Sequence, residues 1–201
     1  MKLHSLVILA LTSISCADTA KEDASKKDLK ELEGTWKVMS LMSDEEGEAP
    51  QEMVRHMMIM VEGNKFTTFF GAHATEQSFT LDTARNPKAI DMTRTPLQGF
   101  VANGKDQNAP AVKPEVLPGI YVLDGNQLRI CLGLPGKNRP TEFPSKPQEG
   151  LVVLVLERDK SPAAVRKLKD FKTMAEINKA GGSAHHGDGP ASEQLYVSLD
   201  R

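Results

Sequence analysis

The chain has 201 residues, 39% of them apolar and 26% charged, with a formal net charge of −2. That length suits one domain with a leader and tails rather than two full domains. The weak charge removes any electrostatic argument for nucleic acid or an anionic membrane as partner. The only cysteines are Cys16 and Cys131, so no disulfide framework is expected.

The N-terminus reads as an address. Lys2 and His4 precede the apolar run Leu6 to Leu11, and small residues follow up to Ser15. This is the pattern of a secretory signal peptide over residues 1–16, with a run too short to span a bilayer. Cys16 stands where a lipoprotein signal places its acylated cysteine: Ser15 fits the position before it, whereas Ser13 takes a place usually held by leucine. Two alternatives stay open, a lipid anchor on Cys16 and simple secretion with cleavage near Ser15 or Ala17. Either makes the protein exported: periplasmic, membrane-anchored or secreted. Loss of Lys2 with the leader leaves a net charge of −3. An acyl chain on Cys16 would be the one link to a membrane, leaving the domain in water.

Residues 17–28 are charged and small, and read as a tether; Asp28 to Leu32 suit a single helical turn before Gly34. Short apolar runs between turn residues then argue for an all-β domain over residues 29–159. The expected strands are Thr35 to Met42, Met57 to Glu62, Lys65 to Phe70, Thr75 to Leu81, Ala89 to Thr93, Gly119 to Leu123, Gln127 to Leu134 and Leu151 to Arg158. Gly63-Asn64, Asn86-Pro87 and Asp124-Gly125-Asn126 mark turns between them. Eight strands with hairpin neighbours suffice to close a small up-and-down antiparallel barrel.

The last strand, Leu151 to Leu156, is apolar on both faces and must be covered on the outside as well. The expected cover is a C-terminal helix over residues 160–180. Ser161 suits its N-cap, Pro162 its first position, and Val165, Leu168, Phe171 and Ala175 recur at helical spacing. The rival for this helix is a membrane-surface element, for which the stripe is thin in large apolar residues. Pro96 to Pro118 and Pro135 to Gly150 read as long loops. Residues 181–201 read as a loosely ordered tail, apart from a short strand at Gln194 to Leu199.

Four ordered motifs carry a resemblance: Leu32-Glu33-Gly34-Thr35-Trp36; Asn86-Pro87-Lys88-Ala89-Ile90-Asp91; Gly119-Ile120-Tyr121-Val122-Leu123-Asp124-Gly125 with Leu128-Arg129-Ile130-Cys131; and Pro135-Gly136 with Arg139-Pro140-Thr141-Glu142-Phe143. From about Leu29 to Arg158 the chain resembles the uncharacterised lipocalin-like domain family expanded in planctomycete bacteria. The resemblance implies a lipocalin-type barrel and an exported location, and no reaction. In lipocalins a Gly-x-Trp opens the first strand, and an arginine at the end of the last packs across the indole at the closed end. Gly34, Trp36 and Arg158 match those places, which implies a structural barrel plug.

Chemistry-bearing motifs are sparse. His185-His186-Gly187-Asp188 offers metal donors, but a glycine-rich tail lacks a rigid scaffold to converge them, so no metal is expected. His56 and His73 are isolated and read as surface residues. Cys131, between Ile130 and Leu132, has the setting of an inert structural thiol. No Gly-x-Ser-x-Gly, phosphate loop or dinucleotide fingerprint occurs, so neither a catalytic residue nor a cofactor is expected. Arg139, Thr141 and Glu142 can brace their loop or recognise a small anion.

Two functions remain. In the first, the barrel binds a small apolar molecule, with Met58, Met60, Phe66, Phe70, Phe79, Ile120, Val122, Leu128 and Ile130 as lining candidates. In the second, those residues fill the barrel, and an envelope-tethered domain contacts a protein partner through its loop and tail. An enzyme is the least supported class, because no pair of titratable groups is seen to converge.

Overall fold

The computed structural model describes residues 16–43, 47–71, 73–94, 113–180, 183–186 and 195–198. In chain order the elements are α1 (Cys16–Leu32), β1 (Gly34–Ser43), β2 (Gly47–Glu48), α2 (Gln51–Val54), β3 (Met57–Glu62), β4 (Lys65–Phe70), β5 (His73–Asp82) and β6 (Ala89–Arg94). They continue with β7 (Glu115–Asp124), β8 (Gln127–Gly133), β9 (Leu151–Arg158), α3 (Pro162–Lys179), β10 (Ser183–His186) and β11 (Leu195–Ser198). Strands β3 to β9 pair antiparallel in sequence order; β1 pairs with β3 on one side and β9 on the other. The result is a closed eight-stranded antiparallel barrel, with β2 adding two residues beside the end of β1. The expected hairpins form, and Gly125 at φ +57° supplies the left-handed conformation that the β7–β8 turn requires.

Residues paired directly across an antiparallel ladder share a face, so one row fixes the inside. Trp36, Val38, Ile59, Val61, Phe66, Phe79, Ile90, Met92, Leu117, Tyr121, Leu128, Ile130, Leu132 and Leu156 are all buried in one interior cluster. This phase corrects four of the lining candidates. Met58, Met60, Ile120 and Val122 alternate with interior residues and point outward. β3 and β7 are apolar on both faces, so composition alone left their phase undecided.

The outer apolar faces have two covers. α3 lies over β3 and β4, where Ala164, Phe171 and Met174 bury against Met58, Met60 and Phe69, with Leu168 and Ile177 alongside. The Phe69 and Phe171 rings stack with centroids 5.9 Å apart. The helix was expected over β9; instead its contact stripe is shifted by one position, and Val165 is 64% exposed. β9 is covered by the loop over 134–150, whose Phe143 packs against the cluster of Ile120, Cys131 and Val153, as do Met42 and Leu151. Arg129 lies 4.9 Å over the Phe143 ring.

Three further expectations change. The segment expected as a tether over residues 17–28 is helical, part of α1. Glu115 to Pro118, expected in the long loop, begin β7, where Pro118 faces Asp91; the rest of that loop up to 112 lies outside the described residues. In the tail, Ser183–His186 pair antiparallel with Leu195–Ser198, so the backbone of His185 and His186 is in a strand rather than loose. Of the expected leader over residues 1–16, all but Cys16 lies outside the described residues, as does Asp188.

Candidate functional site

The barrel has two unlike ends, and the closed one is built by α1. Trp36 is fully buried, and the Arg158 guanidinium lies 4.1 Å over its ring. A helix leaves its last carbonyls without intrahelical partners, and these two side chains supply them. The Trp36 indole N–H donates to Leu32 O at 2.9 Å; Arg158 donates to Glu33 O at 2.6 Å and to Glu31 O. A cation at that position also opposes the negative end of the helix dipole. Burial lowers the Arg158 pKa, while the Glu31 charge acts to raise it. Gly34 is needed twice here: its φ is +123°, and a Cβ would sit 3.0 Å from Arg158 Nη1. The residues expected as a plug therefore also fasten the N-terminal helix.

A second fastening holds the same helix. The Asp28 carboxylate is 6% exposed and accepts from Tyr121 OH and Lys88 Nζ, each at 2.6 Å. Burial, followed by the hydrogen bond and charge of Asp28, drives the Tyr121 phenol far above its ordinary pKa. Ser25 and Thr83 hydroxyls meet at 3.2 Å. Sequence reasoning missed this group: its members lie 60 and 93 residues apart, and the segment holding Asp28 resembled a tether.

Among the described residues the opposite end is less sealed. Register carries the inner face onward from Ile59 to Thr68, from Thr68 to Thr75 and from Phe66 to Gln77. Thr68, Thr75, Gln77, Leu41, Met57 and Leu154 are only half-buried, and Phe70 on the same face is 45% exposed. Leu154 is telling, because it pairs directly with Ile130, which is 1% exposed. Arg94 and Glu115 form an ion pair with Nη2 3.1 Å from the carboxylate at this rim. The short α2 covers part of the β1 side, with Val54 buried and Ala49 N–H bonded to Leu41 O at 2.8 Å.

Of the nine lining candidates, Phe66, Phe79, Leu128 and Ile130 do face inward, but in the fully packed part; Phe70 stands at the rim. Thr68, Thr75 and Gln77 were missed because polar residues in a strand resemble an outer face. Their signal was the alternation itself, counted from Phe66.

The other candidates are structural. Cys131 is buried between Ile120 and Val153, and burial pushes its thiol up to about 11. Arg139 donates to Gly119 O at 2.5 Å, Ile90 O at 3.2 Å and the Asp91 carboxylate at 2.7 Å, which pins the loop to β6 and β7. His56 is exposed and accepts from Arg55 at 3.1 Å; His73 is exposed at the β4–β5 tip. Among the described residues no group of three or more His, Cys, Asp or Glu side chains converges, and no helix is long and apolar enough to cross a membrane. A shallow cleft of about 540 Å³ lies outside the barrel, between Glu33, Glu62 and Leu168. Cys16 begins α1.

Comparison of the chain with family models, with curated proteins and with solved structures finds no match.

Proposed function

We propose that this chain is an exported binding module that holds one small apolar molecule in the less sealed half of its barrel, at the end remote from Trp36. The observation that carries the reading is the burial gradient along a single interior. Trp36, Tyr121, Leu128 and Leu156 are 0% exposed, whereas Leu41, Met57 and Leu154 on the same inner surface are half-buried. An eight-stranded barrel is wide enough either to fill with side chains or to take one small ligand, and here the filling loosens at the remote end along the wall of β1, β3 and β9, while Leu117 and Leu132 on the facing wall stay buried. The pairing of Gly34, Trp36 and Arg158 supports kinship with lipocalin-like barrels. A lipid on Cys16 would tether the barrel through α1, which is fastened to the sealed end. The reading is one of binding, with no reaction attached.

Titration with the neutral fluorescent probe N-phenyl-1-naphthylamine tests it. The expected result is saturable, one-site binding that Leu154→Arg abolishes without lowering Tm by more than a few degrees. A second reading has its own observation: the continuous packing from Trp36 to Ile130 suits a filled barrel acting as a tethered structural or protein-interaction domain. Failure of the probe to bind would favour that reading.

A further inference from the structure

We infer that the preferred ligand is a neutral amphiphile, its hydroxyl or amide head seated on Thr68, Thr75 and Gln77 and its apolar tail on Leu41, Met57 and Leu154. The inference rests on the binding reading above and narrows it to a class of molecule. Thr68 and Thr75 are directly opposed across β4 and β5, and Gln77 follows two positions on. All three face inward and are half-buried. Among the described residues none of the three side chains has a hydrogen-bond partner, although two hydroxyls and a carboxamide offer both donors and acceptors. Polar groups at the edge of an apolar interior are costly unless a partner satisfies them. A band of such groups on one wall therefore suits a ligand that brings its own donor and acceptor.

Charge selects between head groups. Ser78 pairs with Thr93, so Arg94, the next position, stands across from Gln77. Its guanidinium is committed to Glu115 at 3.1 Å. Among the described residues Arg94 is thus presented at the rim as a neutralised pair, and a carboxylate head drawn to it would have to displace Glu115 or face it. A hydroxyl or amide meets no such opposition.

Displacement of N-phenyl-1-naphthylamine by 1-decanol and by decanoate at pH 8 tests the inference. The wild-type chain is expected to release the probe to decanol at a concentration roughly tenfold below that for decanoate, the scale of one or two neutral hydrogen bonds. For the T68V/T75V/Q77L variant the readout is the ratio of the decanol and decanoate displacement concentrations, in which any change of probe affinity cancels, and the tenfold preference for decanol is expected to fall to about twofold or less. Thr75→Val alone, nearly isosteric, should show part of that fall should the triple variant fold poorly. Equal displacement by decanoate, or a ratio unchanged in the variants while the probe still binds, overturns this inference and leaves the binding reading standing. A wild-type chain that binds no probe overturns both.

Discussion

Arg158 does three things from one position: it covers the Trp36 ring at 4.1 Å, binds two carbonyls at the end of α1, and closes the β1–β9 ladder opposite Trp36. Only a planar fork can meet two carbonyls while stacking on an indole. Arg158→Lys is therefore expected to destabilise by about 1–3 kcal/mol, read as a Tm fall of roughly 2–4 °C per kcal/mol for a chain of this size. An unchanged Tm would reduce the contact to decoration. At Cys131, burial and a thiol raised to about 11 leave almost no thiolate at pH 8. In a Cys16→Ser background, alkylation of Cys131 should proceed only at the rate of unfolding. Rapid labelling of the folded chain would show the β7–β8–β9 outer face to be less covered than described. Trp36 and Arg158 were legible only through the resemblance to lipocalin-like barrels, which implies a plug at those two places. Asp28, Tyr121 and Lys88 were not, since nothing local records a contact between residues 93 apart.

Among the elements, α3 depends on its start. Ser161 Oγ accepts from the Ala164 N–H at 3.1 Å, and the Asp159 carboxylate accepts from the Ser161 N–H at 3.0 Å. Ser161→Ala should cost about 1 kcal/mol. Burial alone would raise the Asp159 pKa, but the Ser161 hydrogen bonds and the charges of Lys37 and Lys167 bring it below the ordinary value. Its contribution to stability is thus complete above the unfolded carboxylate pKa of about 4 and is lost as pH falls through the lower folded value. Asp159→Asn should flatten the acid limb of a Tm–pH profile in that window and leave its slope near neutrality unchanged. The helix itself was legible, cap included, but its docking place was not. Both β9 and the β3–β4 pair present outer apolar faces, and only Phe143 reaching β9 from the loop leaves Met58, Met60 and Phe69 for α3. The reverse error befell α1, whose charged N-terminal half hid a buried C-terminal half. A chain beginning at residue 33 loses Asp28, Leu29 and Leu32 and should be destabilised by about 3 kcal/mol or more.

For the whole molecule, strand count, antiparallel order and closure followed from turn residues and alternation, since a period of two leaves few choices where one face is polar. Phase failed where both faces are apolar, in β3 and β7, and those strands held the four misplaced lining candidates. The deeper asymmetry was not legible at all: that one end is fastened by α1 while the other thins out depends on burial, which strand patterns do not report. That asymmetry decides which part of the interior a ligand would touch. Methyl NMR of the folded chain, with and without N-phenyl-1-naphthylamine, tests it most directly. Shifts are predicted at Leu41, Met57 and Leu154, while Leu128, Ile130 and Leu156 stay in place. No change at the first three, or equal change at both sets, would contradict it.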